Sequence, residues 1–128
     1  MILNGKYYAI SSREVPSIKT KDRILGKVHV KYLMKHSGQI TLTKDELVFE
    51  GWRTIRLSDI RELDCSYDDF MNRLTLSDGR RPATIKNGEP LRLHVTNDEI
   101  LYVMVNWTFV TGFNDNKAWL SEIKRIIA

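Results

Sequence analysis

Residues 38–49 read GQITLTKDELVF, and apolar and polar side chains alternate twice within them. Ile40 and Leu42 alternate with glutamine and threonine, a Lys-Asp-Glu segment interrupts the pattern, and a second apolar run follows at 47–49. Alternation with a period of two is typical of a strand that buries one face. Two such runs joined by a short polar segment predict an antiparallel hairpin.

The alternation returns several times after this hairpin. Further short strands are predicted at residues 53–57, 60–65, 74–76, 83–85 and 91–95. Gly51, Asp78-Gly79 and Asn87-Gly88 separate them, and glycine readily takes the positive φ of a tight hairpin turn. Turn signals at intervals of roughly 8 to 12 residues predict an all-β barrel or sandwich.

The longest strand is predicted last, after a turn at residues 96–98. Apolar side chains at every second position from Leu101 to Phe109, including Trp107, share one face, and Tyr102 and Met104 lie on the other. A strand that is apolar on both faces is expected to be covered on both sides.

One amphipathic helix is predicted at residues 114–127, where Asn114 or Asp115 can cap the first turn. The apolar side chains that fall within an arc of about 120° at 100° per residue are Trp119, Leu120, Ile123, Ile126 and Ile127. This face has to be buried and the sheet is the available surface, so we expect the helix to close one side of the barrel.

Residues 1–26 are the hardest part of the chain to place. They are interpreted as an N-terminal strand, as a helix packed on the barrel, or as a partly ordered arm preceding a domain at 27–128. Residues 27–35 alternate apolar with basic side chains, which predicts a strand with one basic face. A turn is predicted after it, at Ser37-Gly38.

Size and composition are typical of a single ordered domain: 128 residues, 42% hydrophobic and 28% charged. No apolar run approaches the roughly 20 residues that span a bilayer, and the first residues lack the apolar core of a secretory signal. A cytoplasmic location is therefore expected. Cys65 is the only cysteine, so no internal disulfide can form, and it is interpreted as a buried structural thiol.

Positive charge is concentrated in the N-terminal third. Residues 1–40 contain eight Lys/Arg and two Asp/Glu, a net charge of +6, whereas residues 41–128 contain twelve and fourteen, a net charge of −2. Such asymmetry suggests an anionic partner, but a solvated, lysine-rich strand face would explain it equally well.

The hairpin and its surroundings resemble a known family. Residues 38–49 are similar to the G-x-L-x-L-T-x-x-x-L-x-F hairpin of GRAM and related bacterial pleckstrin-homology-like domains, and residues 54–63 are similar to their next element. The helix with Trp119, Leu120 and Ile123 resembles the plug that these domains place over the barrel. The resemblance covers residues 27–128. It implies a bent antiparallel barrel of about seven strands closed by one C-terminal helix, and binding of membrane lipids or proteins.

Basic residues are the best candidates for a binding site. Those predicted to contact an anionic ligand or membrane are Lys27, Lys31, Lys35, His36, Arg80 and Arg81. The resemblance implies that phosphoinositide-binding relatives carry basic residues between their first two strands, and Lys35 and His36 lie closest to that position. That pattern is incomplete here, because no further basic residue follows before Lys44.

Trp52 is the aromatic residue predicted to be exposed, since it follows Gly51 at a strand break. Either it anchors a partner or it closes the edge of the barrel, and the second interpretation is slightly favoured. The other aromatic side chains fall mostly at inward positions, so nucleic acid is not the favoured partner.

No pattern in the sequence is typical of a reaction centre. The three histidines lack the spacing of metal ligands and are interpreted as surface residues. Asp64, Asp68 and Asp69 have no accompanying base or nucleophile, so a solvated loop is the preferred interpretation. No cofactor and no metal are predicted.

Together these patterns predict a non-catalytic interaction module that binds a protein or self-associates through an exposed strand edge or helix face. The alternative is peripheral association with anionic membrane lipids through the basic N-terminal strand. An enzyme or a nucleic-acid binder would require a deep pocket at the Asp64 cluster or exposed aromatics beside Arg80 and Arg81.

Overall fold

A curled, half-barrel antiparallel sheet with one helix packed against it forms the fold in the computed structural model of the protein, which describes residues 2–14, 34–66, 90–107 and 114–127. Within these residues the strands are β1 Leu3–Ser11, β2 His36–Leu42, β3 Glu46–Phe49, β4 Arg53–Arg56, β5 Ile60–Cys65, β6 Leu91–Val95 and β7 Glu99–Val105. A 3₁₀ turn at Leu57–Asp59 joins β4 to β5, and the helix α1 spans Asn116–Ile127.

The seven described strands form one sheet in the order β4-β3-β2-β1-β7-β6-β5. The N-terminal strand lies at its centre, because Tyr7 of β1 pairs with Gly38 of β2 on one side and with Val105 of β7 on the other. Of the three alternatives for residues 1–26, the strand is the one observed for Leu3–Ser11. Strands β4 and β5 form the two edges of the sheet within the described residues.

The hairpin predicted at residues 38–49 is confirmed, since β2 and β3 pair in antiparallel register with Ile40 opposite Phe49. The helix predicted at residues 114–127 is also confirmed and begins two residues later. Asn114 lies just before the helix, and its side-chain oxygen accepts a hydrogen bond from the Asn116 N–H at 3.0 Å, which satisfies one of the free N–H groups of the first turn.

The turn predicted at Ser37-Gly38 is wrong, because both residues lie inside β2. Gly38 is required there by a close approach rather than by a turn. A Cβ atom on it would lie 2.8 Å from the Glu50 carbonyl oxygen, and its φ of 151° is one that other residues rarely adopt. Residues 34 and 35 are not in a strand; the rest of the strand predicted at 27–35, and those predicted at 74–76 and 83–85, lie outside the described residues.

Apolar side chains pack on both faces of β7, as predicted. The face toward α1 holds the inner core, which includes Tyr7, Leu93, Val103, Trp119 and Ile123. The opposite face holds an outer cluster made of Ile10, Met34, Tyr102, Met104 and Trp107.

Strand β7 is not the longest, since β1 has nine residues and β7 has seven. It ends at Val105 because Asn106 adopts a positive φ of 54°. The Asn106 side chain accepts a hydrogen bond from the Lys6 N–H at 2.9 Å in place of a ladder partner. This interruption breaks the alternation, so Trp107 joins the outer cluster instead of the predicted inner face.

Candidate functional site

Of the basic residues predicted to bind an anion, Lys27, Lys31, Arg80 and Arg81 lie outside the described residues. Lys35 is exposed just before β2, and His36 is the first residue of that strand. Of the predicted anion-binding site, the structure therefore describes Lys35 and His36.

His36 faces a carboxylate. Its Nε2 atom lies 2.7 Å from Oε2 of Glu14, and the other oxygen of Glu14 accepts a hydrogen bond from the Ser11 N–H at 2.9 Å. An anion that approached His36 would meet the negative charge of Glu14. The histidine is thus arranged to hold the chain at the end of β1 rather than to present a free cation.

Trp52 packs at the edge of the half-barrel. The His36 ring stacks on it with centroids 4.2 Å apart and planes 10° apart, and its centroid lies 5.5 Å from that of Phe49 in a T-shaped contact. The guanidinium carbon of Arg53 lies 5.6 Å from the Trp52 ring centroid. These contacts hold Trp52 half-buried rather than fully exposed.

A polar network that the sequence patterns did not predict lies next to Trp52. Arg53 donates two hydrogen bonds to the Glu99 carboxylate, at 3.0 and 3.1 Å, and Ser11 donates a third at 2.5 Å. Glu99 is only 6% exposed. Since β4 and β7 are not neighbours in the sheet, this ion pair connects the two halves of the half-barrel at one end.

The titration of Glu99 reflects this environment. Burial by itself raises the pKa of its carboxyl group, but the hydrogen bonds from Arg53 and Ser11, with the positive charges of Arg53 and Arg13, outweigh burial and hold the pKa below its ordinary value. Glu99 is therefore ionised at neutral pH and serves as a structural anion.

A groove of about 950 Å³ opens where β1, β2 and the turn after β3 meet. Its lining includes Lys6, Tyr8, Gly38, Glu50 and Trp107. The Tyr7 hydroxyl donates to the Glu50 carbonyl oxygen at 3.0 Å beneath Gly38, so this part of the groove is held together by a buried phenol. Burial, together with the negative charge of Glu50, raises the pKa of the Tyr7 hydroxyl.

A second cavity, of about 700 Å³, lies at the other end of β4 beside the end of α1. Three cationic side chains line it: Lys44, Arg56 and Arg61. All three are exposed, and none has an ion pair or side-chain hydrogen bond within the described residues. Asp45 and Glu46 also line the cavity, and Ile126 and Ile127 form its apolar wall.

The carboxylate cluster predicted around Asp64 is described only at Asp64, because Asp68 and Asp69 lie outside the described residues. Arg92 donates to both oxygens of Asp64, at 2.7 and 2.6 Å. The hydrogen bond from Arg92 lowers the pKa of Asp64 against the opposing effect of burial. Asp64 is therefore engaged in a cross-strand ion pair.

His94 is less exposed than predicted. It is half-buried on β6, and its Nε2 atom is buried without a hydrogen-bond partner among the described residues. No three His, Cys, Asp or Glu side chains of the described residues are grouped as a metal site. Cys65, expected to be buried, is half-buried at the rim of the inner core.

No protein-family model and no curated protein matches this chain. Among the described residues, no helix is both long enough and apolar enough to cross a membrane.

Proposed function

We propose that this chain is a non-catalytic interaction module of the pleckstrin-homology and GRAM type, which binds a protein or self-associates. The observation that carries the proposal is the edge strand β4. It pairs with β3 on one side and has no strand partner on its other side within the described residues. An edge strand of this kind offers backbone N–H and C=O groups to a further strand.

The filled interior also supports a binding role. The side chains inside the half-barrel are apolar, and Trp119 and Ile123 of α1 pack among them. Both cavities described above are bounded by strands and turns at the surface. Surfaces of this kind suit a partner that docks from outside.

The proposed relationship to the family rests on the sequence resemblance and on the order of elements. A hairpin, a further strand and a closing C-terminal helix follow one another as the resemblance implies. Strand β1 precedes the region of resemblance, so the proposed module extends to residues 3–11 as well. Within this proposal the protein acts in the cytoplasm.

The alternative proposal is peripheral association with anionic lipids through the basic N-terminal residues. Of those basic residues, Lys35 and His36 are described by the structure. The Glu14 carboxylate lies beside His36, and its negative charge weakens the attraction of this region for an anionic surface. For this reason we favour a protein partner.

Size-exclusion chromatography with light scattering, followed by liposome sedimentation, tests the two proposals. Self-association that rises with concentration, or co-elution with a partner, supports the interaction module. Salt-sensitive sedimentation with anionic vesicles, together with a strictly monomeric and partner-free protein, would contradict it and support the membrane alternative.

A further inference from the structure

We propose that the outer edge of β4, which has no strand partner among the described residues, binds an extended, acidic segment of a partner protein that adds to the sheet as an antiparallel strand. This inference rests on the proposed function, because it names the kind of partner that the interaction module takes.

The backbone of β4 is oriented for such pairing. Arg53 lies opposite Phe49 and Ile55 lies opposite Leu47, and the Leu57 N–H donates to the Asp45 carbonyl oxygen at 2.9 Å in the same register. In an antiparallel ladder, hydrogen-bonded and non-hydrogen-bonded pairs alternate. The N–H and C=O groups of Thr54 and Arg56 therefore point away from β3, toward the outer edge of β4.

The side chains at this edge indicate the chemistry of the partner. Thr54 and Arg56 are both exposed, and Arg56 lines the cavity that it shares with Lys44 and Arg61. Glu46 lies opposite Arg56 on β3, but the two form no ion pair within 4.0 Å. A glutamate or aspartate on an added strand would lie beside Arg56 and complete the pair that Glu46 leaves unmade.

An apolar contact is available next to these charges. Ile127, at the end of α1, is 40% exposed and lines the same cavity as Ile126. A partner segment that runs along β4 can therefore place an apolar side chain on these isoleucines while its carboxylates face the cations.

A second copy of this chain fits the edge less well than an acidic segment does. In the register centred on Ile55, antiparallel pairing of two β4 strands places Thr54 opposite Arg56 of the other copy, and the two Arg56 side chains then lie diagonally across the new pair at about 7–8 Å. Like charges at that distance repel each other. Four residues of strand also bury far less than the roughly 1,200 Å² of a stable interface.

The probe is a short, fluorescently labelled peptide in which glutamate alternates with valine, measured by fluorescence anisotropy at low ionic strength. In the proposed pairing the glutamates lie opposite Thr54 and Arg56, because side chains directly opposite each other in a sheet share a face. The N–H and C=O groups of Thr54 and Arg56 point to the added strand, so the N–H groups of those glutamates point back to β4. N-methylation of the glutamates is expected to abolish binding, whereas N-methylation of the valines is expected to leave it within about twofold. A peptide with lysine in place of glutamate is expected not to bind.

Two protein variants test the same contacts from the other side. Thr54→Pro removes an outward N–H without removing a bond to β3, and is expected to weaken peptide binding by about tenfold or more. Thr54→Val keeps that N–H and is the matched control. Arg56→Glu is expected to weaken binding by about tenfold, whereas Lys117→Glu, which changes the net charge equally at the exposed start of α1, is expected to change it less than about twofold.

The outcomes separate this inference from the proposed function. If the protein self-associates or binds a partner but ignores the acidic peptide, the β4 inference is wrong and the interaction module stands. If the peptide binds but tolerates both Thr54→Pro and N-methylated glutamates, the attraction is electrostatic only and strand pairing is wrong. The methylated peptides leave the protein unchanged, so this result holds even if Thr54→Pro does not fold.

Discussion

Two arginines three residues apart on the same short strand have opposite fates. Arg53, at the start of β4, is held by two hydrogen bonds from its guanidinium to the buried Glu99 carboxylate and lies over the Trp52 ring. Arg56, at the end of β4, is exposed and forms no ion pair within the described residues. An arginine thus joins two strands of the half-barrel at one end of β4, and another is exposed to solvent at the other end.

The difference comes from the alternation of side chains along β4 and from the curl of the sheet. Arg53 lies on the same face as the buried Ile55, whereas Arg56 lies on the opposite face. The curl brings β7 across to Arg53 and supplies a buried anion there, whereas Arg56 lies opposite Glu46 on β3 and forms no ion pair with it. A charge that is taken out of water requires a partner, while an exposed charge is solvated and contributes little to stability.

The largest expected effect is the loss of the buried partner. Arg53→Ala removes the cation that is hydrogen-bonded to Glu99, a residue that is only 6% exposed. We expect the free energy of unfolding to fall by about 2–4 kcal/mol, somewhat less than for a fully buried pair because the Arg53 side chain is 34% exposed. Urea denaturation measures this change.

Arg56→Ala is the matched control for Arg53→Ala. We expect it to change the free energy of unfolding by less than about 0.5 kcal/mol. Equal losses in the two variants would show that the two ends of β4 do not differ as described.

The aromatic contacts at the Arg53 end give the next largest effect. Trp52→Ala removes the ring on which His36 stacks and against which Phe49 packs, and we expect a loss of about 2–3 kcal/mol. Ile127→Ala at the Arg56 end removes a side chain that is 40% exposed and should cost about 0.5 kcal/mol or less. Thermal unfolding of both variants checks the contrast, and a larger loss for Ile127→Ala would contradict it.

Acid pH is expected to weaken the Arg53 end through Glu99. The pKa of Glu99 is lower in the folded protein than its ordinary value of 4.5, so its contribution is fully present above that value and is lost as the pH falls through the folded pKa. The contribution of Asp64 to stability depends on pH in the same direction, since the hydrogen bond from Arg92 lowers the pKa of Asp64. The contribution of these two carboxylates to stability should therefore be constant from about pH 7 to pH 5 and decline below about pH 4.5.

Glu99→Gln identifies the share of this decline that belongs to Glu99. The variant is expected to be less stable than the wild type at pH 7 and to lose less stability on acidification, so that the two unfolding curves converge in acid. Parallel loss in both proteins would mean that Glu99 does not contribute to the acid sensitivity.

The smallest effect concerns the exposed cations at the Arg56 end. Lys44, Arg56 and Arg61 line one cavity, and their mutual repulsion is screened by salt. Arg56→Gln is expected to raise the free energy of unfolding by a few tenths of a kcal/mol at low ionic strength and to have no effect at about 1 M salt. Chemical denaturation in urea at both salt concentrations tests this, and destabilisation at low salt would contradict it.

Local patterns were sufficient where the signal lies within one element or one turn. The hairpin at residues 38–49, the helix that ends at Ile127 and the turn at residues 96–98 follow from alternation, helical periodicity and turn residues. At that turn Asn97 and Asp98 both have positive φ, which short polar side chains tolerate. The side chains of Trp119 and Ile123 are buried as helical periodicity predicts.

Patterns failed where a distant residue decides the environment. Gly38 looks like a turn residue, but it lies within a strand. Glycine is required there because the Glu50 carbonyl oxygen occupies the space that a side chain would need. His36 lies beside Glu14, and no local pattern indicates that proximity because it depends on the path of the chain. For Trp52 the sequence allowed two interpretations, because its exposure depends on whether His36 and Arg53 reach its ring.

The amino-acid order alone determined that this protein is mainly β, where its described turns and its helix lie, and which faces of those elements are apolar, because these properties depend on neighbours a few residues away. Only the tertiary structure decided that β1 is central, that Glu99 receives Arg53, and that Arg56 has no ion-pair partner among the described residues. Those outcomes depend on how far the sheet curls and on which strands meet across it, which no short segment of the chain encodes by itself.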